Sequence, residues 1–199
     1  MKEKLFFIDL ETTGLSAWKN GLTQFGGIID IGDKTEEIEA EMSIFPNDEI
    51  DDEALNVTGM TREEILSKQS PLTFYASLKS TLLSHVNKFD KTDKFHFIGY
   101  NAKFDEGFLR SWFKKCGDRF FGSYFHFPII DVAQIASMKI LTNSLERPKE
   151  NFRLGTVCRH FGIDFDEDEA HDAMFDIRKT RELFYKLTEI KHGKLFGSS

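Results

Sequence analysis

The stretch Leu5-Phe6-Phe7-Ile8-Asp9-Leu10-Glu11 constrains this chain more than any other, because an apolar run of strand type is closed by two acids set two residues apart. Side chains along a strand alternate between faces, so Asp9 and Glu11 share one face while Leu10 takes the other. Two carboxylates on one face of an otherwise apolar strand repel each other and lose water, a cost that a cation or a proton removes. A bound metal is the economical reading. The alternative is a strand that stops at Asp9 and leaves Glu11 in solvent.

The rest of the chain supplies a framework for that strand. Leu22 to Ile31 and Ile38 to Phe45 read as two further strands joined by the turn residues Asp30 to Asp33, which makes an antiparallel meander. Pro46 to Gly59 is acidic and loop-like, Thr61-Arg-Glu-Glu carries a capping-box pattern, and Leu72 to Val86 has helical spacing through Leu72, Tyr75, Leu78, Leu82 and Val86. Strands then alternate with helices. Phe95 to Gly99 leads into a helix that sets Phe104, Phe108, Leu109 and Phe113 on one side, and Ile129-Ile130-Asp131 leads into Val132 to Leu141. After a polar loop at Thr142 to Asn151, Leu154 to Phe161 and Ala173 to about Lys191 read as two more helices, the last burying Ile177, Phe184 and Leu187. Three strands followed by alternating strands and helices predict an α/β fold, a mixed sheet flanked by helices.

At 199 residues and 40% hydrophobic, the chain suits one domain, expected at 1–191, with a short C-terminal tail at 192–199. No segment approaches the roughly 18 consecutive apolar residues of a membrane span, so a cytoplasmic protein is expected. Cys116 and Cys158 lie in helical patterns without a CxxC partner and read as reduced structural thiols. The net charge of -7 argues at first against a polyanionic partner, but the first 66 residues hold 16 acids and 5 bases whereas the remainder holds 17 acids and 21 bases. The acidity belongs to one end.

Two more acids fall in a repeated local pattern. Asn101 and Asp172 each suit a helix N-cap, and each is followed four residues later by an aspartate, Asp105 and Asp176. A four-residue step returns to nearly the same helix face, so each aspartate lies over its cap. His171 precedes Asp176 by five residues, and on a continuous helix the two would diverge by about 140°. Placed in the loop before the cap, His171 is free to reach the site that Asp176 faces and act as a general base. Hard oxygen ligands without cysteine favour magnesium or manganese, and phosphate chemistry follows from that choice.

Taken in order, Ile8-Asp9-Leu10-Glu11-Thr12-Thr13-Gly14-Leu15, Asn101-Ala102-Lys103-Phe104-Asp105 and His171-Asp172-Ala173-Met174-Phe175-Asp176 resemble the three motifs of the DEDDh, or DnaQ-like, exonuclease superfamily. The chain is similar in this to the proofreading epsilon subunit of bacterial DNA polymerase III and to ribonuclease T. The resemblance covers nearly the whole chain and implies a ribonuclease H-like, mixed five-stranded sheet. It implies removal of nucleoside 5'-monophosphates from a 3' end, with Asp9, Glu11, Asp105 and Asp176 around two magnesium ions, manganese able to substitute, and His171 as general base. It also implies that Thr12, Thr13, Gly14 and Leu15 contact the terminal nucleotide, with Asn101 and Phe104 in support. Val57-Thr58-Gly59-Met60 resembles the segment that packs on the terminal base; Thr58 and Tyr100 stand where relatives often carry histidine, and substrate choice is the property those departures touch.

The implied partner is a nucleic acid with a 3' end, DNA ahead of RNA; an RNA-trimming exoribonuclease or oligoribonuclease is the alternative. A non-catalytic nucleic-acid-binding module of the same fold would ordinarily lack a carboxylate or the histidine, and none is missing. The chain ends about a dozen residues after Leu187, which favours an autonomous enzyme over one tethered to a polymerase by a tail, although a polymerase partner docking on the folded domain is compatible. Of the 21 phenylalanines, Phe25, Phe125 and Phe127 are expected in the core, and Phe104 is the better base platform. Residues 103–159 carry ten bases and six acids, so Lys103, Lys139, Arg147, Lys149, Arg153 and Arg159 are candidates to follow a phosphate backbone.

Overall fold

The computed structural model describes residues 3–190, and the tail expected at 192–199 lies outside the described residues. β1 (Lys4–Thr12) is the middle strand of five, in the order β3-β2-β1-β4-β5. β2 (Leu22–Ile31) runs antiparallel to it, and β3 (Lys34–Glu41) antiparallel to β2, while β4 (His96–Gly99) and β5 (Ile130–Asp131) add in parallel on the other side. This is the mixed sheet that the order of elements predicts. Both faces of β1 are covered, which explains why Leu5 to Ile8 is apolar without alternation. Phe6, Ile8 and Leu10 enter one core with α3 (Pro71–His85) and α4 (Ala102–Lys115), whereas Leu5 and Phe7 enter another with α5 (Val132–Thr142), α6 (Leu154–His160) and α7 (Ala173–Thr188). Ring contacts tie strands to helices in each layer: Phe7 meets Phe184 edge-on at 5.4 Å and Phe25 meets Phe74 at 5.1 Å.

Four expectations need correction. The stretch read as a loop at Pro46 to Gly59 contains α1 (Asp52–Thr58), which buries none of its residues and so shows no amphipathic period; Gly59, with φ +69°, closes it by donating its amide to Leu55. It leads into α2 (Arg62–Ser67), whose capping box at Thr61 and Glu64 is formed as expected. β3 starts at Lys34, not Ile38, because the turn needs only Gly32 and Asp33, and its mostly exposed charged residues mark it as the edge strand. Leu72 is exposed, and α3 presents Phe74, Tyr75, Leu78 and Leu82 to the core instead. Phe25 and Phe125 are buried as expected, but Phe127 is 94% exposed, on the connection into β5.

Candidate active site

Asp9 and Glu11 continue the face of β1 that carries Leu5 and Phe7, the face covered by α7. In the ladder Asp9 stands opposite Gly26 of β2, and a Cβ built on Gly26 would lie 2.2 Å from the carbonyl oxygen of Ala173. The missing side chain therefore lets the first turn of α7 rest on the sheet backbone, bringing Asp176 over the two strand acids. Asp172 caps that turn, its carboxylate accepting from the Phe175 amide at 2.8 Å. A Gly26→Ala variant is expected to lift this turn, to lower stability by about 1–3 kcal/mol and to cut kcat about tenfold or more through misplacement of Asp176. Wild-type kcat in that variant would show that the contact does not position the site.

Asp105 arrives from the opposite layer. Its helix, α4, starts where β4 ends, and Asn101 occupies the cap position, but in the left-handed region at φ +58° and without a side-chain cap bond. Asparagine tolerates that backbone better than most residues. The amide of Asn101 donates instead to the Asp131 carboxylate at 3.1 Å, which also accepts from Ala133 at 2.9 Å. One side chain thus joins the starts of α4 and α5. Asp105 is buried, held by its own amide and that of Leu10 in β1.

Burial raises the pKa of Asp9 well above the usual carboxylate range, and the charges of Asp105, Asp176, Glu11 and Asp172 add to it. Burial, then Asp176 and Asp172, pushes Glu11 up to about 8. Asp105 is likewise raised by burial, against the pull of the two amides. Asp176 is pushed up to about 6, again by burial, against the opposing pull of His171. Among the described residues none of the four forms an ion pair.

His171 sits just before the cap with φ +67°, a backbone turn that removes the divergence a continuous helix would impose. Its ring nitrogen and carboxylate oxygens of Glu11 and Asp176 all lie within 4.8 Å of one another. The Oδ1 atom of Asp176 is buried without a hydrogen-bond partner, an orphaned acceptor beside three other acids. A divalent cation satisfies both the orphan and the shared negative charge, and an all-oxygen carboxylate set suits magnesium or manganese.

These groups open into a cleft of about 810 Å³, within the usual range for a small-ligand site. The RNase_T family model, described as an exonuclease, matches residues 6–184, a span that contains all four acids and His171. The chain belongs to the RNase_T exonuclease family. Ribonuclease T of Shewanella baltica (strain OS155) is 30% identical over 193 residues, covering 89% of this chain and 78% of that protein. Ribonuclease T of Shewanella sp. (strain MR-4) is 29% identical over 202 residues, covering 93% and 82%. The fold also matches E. coli exonuclease I in complex with a dT13 oligonucleotide, with a TM-score of 0.75 and 22% identity over 98% of this chain and 43% of that one. This chain therefore spans less than half of exonuclease I. Membership makes the protein a hydrolytic nuclease of a metal-dependent family.

Within this RNase_T fold, Thr12, Gly14, Leu15, Val57, Thr58, Asn101 and Phe104 line the cleft with the acids. Thr13 does not: it is buried, its hydroxyl donating to the Glu49 carbonyl at 2.6 Å and accepting from the Gly21 amide at 2.7 Å. The loop after β1 folds back on itself around Thr13 and Asn20, the latter donating to the carbonyls of Thr13 and Glu49 at 3.1 and 3.2 Å. Gly14, at φ +157°, packs where a Cβ would meet Asp51 and Asn20. Sequence reasoning assigned no role to Ser16, Lys19 or Asn20 in the cleft wall, since a wall built by loop folding leaves no periodic signal. Tyr100 lines the cleft and donates its hydroxyl to the Phe152 carbonyl at 2.6 Å.

Proposed function

We propose that this chain is a 3'-5' exonuclease that releases nucleoside 5'-monophosphates from single-stranded 3' ends. In this reading Asp9, Glu11, Asp105 and Asp176 hold two magnesium ions, and manganese is able to replace them. The observation that carries it is the convergence on a single cleft of four carboxylates that form no ion pair among the described residues, one of them with an orphaned oxygen. When bound, the ions supply Lewis acidity at the scissile phosphate and lower the pKa of a water. His171 would accept the proton of an attacking water, from a position where the turn at φ +67° holds its ring beside Glu11 and Asp176. Leu15 and Val57 expose apolar side chains into the cleft, and Phe104 adds a ring beside Asp105. Such walls suit the faces of an unpaired terminal base.

The relatives named ribonuclease T favour RNA as a second reading, whereas exonuclease I, similar in fold, is seen in complex with a dT13 oligonucleotide. Incubating 3'-labelled and 5'-labelled DNA and RNA oligonucleotides with magnesium tests both. Labelled monophosphate is expected from the 3' end at once, with a ladder shortening from that end. EDTA is expected to slow the reaction by about a thousandfold or more, the size of several kcal/mol of lost transition-state stabilisation. Internal cuts, or cleavage that EDTA leaves untouched, would rule the reading out.

A further inference from the structure

A second groove adjoins the cleft along both of its walls. In the loop after β1, Leu15, Ser16, Lys19 and Asn20 line the cleft, while Ala17 and Trp18 line the groove. On α4, Phe104 and Asp105 face the cleft, and Lys103, Gly107, Arg110 and Lys114 face the groove. Their spacing of four, three and four residues makes one helical stripe, roughly 16 Å long at 1.5 Å per residue. Arg119 adds a fourth base. The two acids of the groove are already engaged: Glu106 pairs with Lys103 at 2.8 Å and with Arg110 at 2.5 Å, and Asp118 accepts from Tyr75 at 2.6 Å. Among the described residues no carboxylate pairs with Lys114 or Arg119.

Two further features are hard to explain by folding. Trp18 is 72% exposed, with the Lys114 ammonium 5.1 Å from its ring centre. Gly107 lies in the middle of α4 with nothing within 4 Å of where its Cβ would be, so packing gives no reason for a residue that costs a helix about 1 kcal/mol relative to alanine. A bare stretch of helix flanked by bases, facing an exposed indole, matches the combination of backbone-tracking charge and stacking surface that holds single strands.

We propose that this groove binds the single-stranded segment immediately upstream of the 3' end. Trp18 is the base platform, and Lys103, Arg110, Lys114 and Arg119 contact phosphates. The inference rests on the exonuclease reading for its direction of travel, but binding itself is measurable without cleavage. The second tryptophan, Trp112, is buried with its indole N–H unpartnered, so Trp112→Phe leaves Trp18 as the reporter. In EDTA, an oligothymidylate long enough to span cleft and groove is expected to quench Trp18 emission, and oligouridylate ranks the two polymers. Quenching by either supports the groove.

Trp18→Ala is expected to weaken binding of the long oligonucleotide about tenfold, the share of one stacked base. Removing Lys114 and Arg119 together is expected to lower the logarithmic salt slope by about 1.4, at roughly 0.7 for each phosphate contact to a single strand. In the presence of magnesium, the ratio of kcat/KM on the long oligonucleotide to that on a dinucleotide should fall in parallel. Unquenched emission with both polymers, with affinity and salt slope indifferent to these substitutions, would overturn the groove even if 3' cleavage is intact. Failure to release monophosphates from either oligonucleotide or dinucleotide, with quenching retained, would overturn the exonuclease reading and leave the groove standing.

Discussion

Replacing Asp9 by asparagine is expected to lower kcat by about three orders of magnitude, the equivalent of roughly 4 kcal/mol at 1.36 kcal/mol per tenfold. The fold should survive. Asp9 forms no ion pair among the described residues, and its charge is opposed by burial and by three neighbouring acids of the site, so a neutral side chain of the same shape relieves repulsion. Asp172→Asn is the informative control, because asparagine caps a helix as well as aspartate does. Asp172 lies in the same acidic neighbourhood, but its carboxylate is committed to the Phe175 amide, and its variant should lose no more than a few-fold in rate. Single-turnover kinetics on a labelled oligonucleotide, with circular dichroism to check folding, separates the two. An Asp9→Asn enzyme as active as the parent, or one matched in its loss by Asp172→Asn, would break the assignment of Asp9 as a metal ligand.

The strand acids and the two helix aspartates were legible in the sequence because each depends on a local period: alternation in β1, and a four-residue step in α4 and α7. The caps beneath those steps were only half legible. Asp172 caps as expected, whereas Asn101 occupies the same position with a left-handed backbone and no cap bond. Spacing reports where a helix starts, not which group satisfies its first amides. The place of His171 rests on one positive φ that periodicity does not encode. α1 was hidden because a helix that buries nothing has no apolar stripe, and Thr13 because its burial is set by a loop folding back across Asn20 and Glu49. Gly26 shows the same limit from the other side. In the sequence it is a glycine inside a strand; only the arrival of Ala173 at its missing Cβ explains it.

In EDTA above pH 8.5, Glu11→Gln is expected to be more stable than the unsubstituted protein, an inversion of the usual penalty for altering an active site. Glu11 is raised from 4.5 to about 8 by burial and by the charges of Asp176 and Asp172, so the folded state holds a proton that the unfolded state releases. Between those pH values the unfolded chain binds fewer protons than the folded one, and metal-free stability therefore falls as pH rises, levelling off above about 8. Asp176, raised to about 6, adds a fall at lower pH. At roughly 1.4 kcal/mol per pH unit, the shift of Glu11 from 4.5 to about 8 contributes on the order of 5 kcal/mol, or roughly 10–20 °C in Tm for a chain of this size. Glutamine has no proton to lose, so its melting curve should separate from that of the parent as pH climbs from 5 to 9. Magnesium should reverse the order, because the cation replaces the proton on the parent carboxylate and binds more strongly as pH rises. Parallel pH profiles for the two proteins in EDTA would mean that Glu11 is ionised at no cost in the folded state, and the crowded acids would then need no cation to explain them.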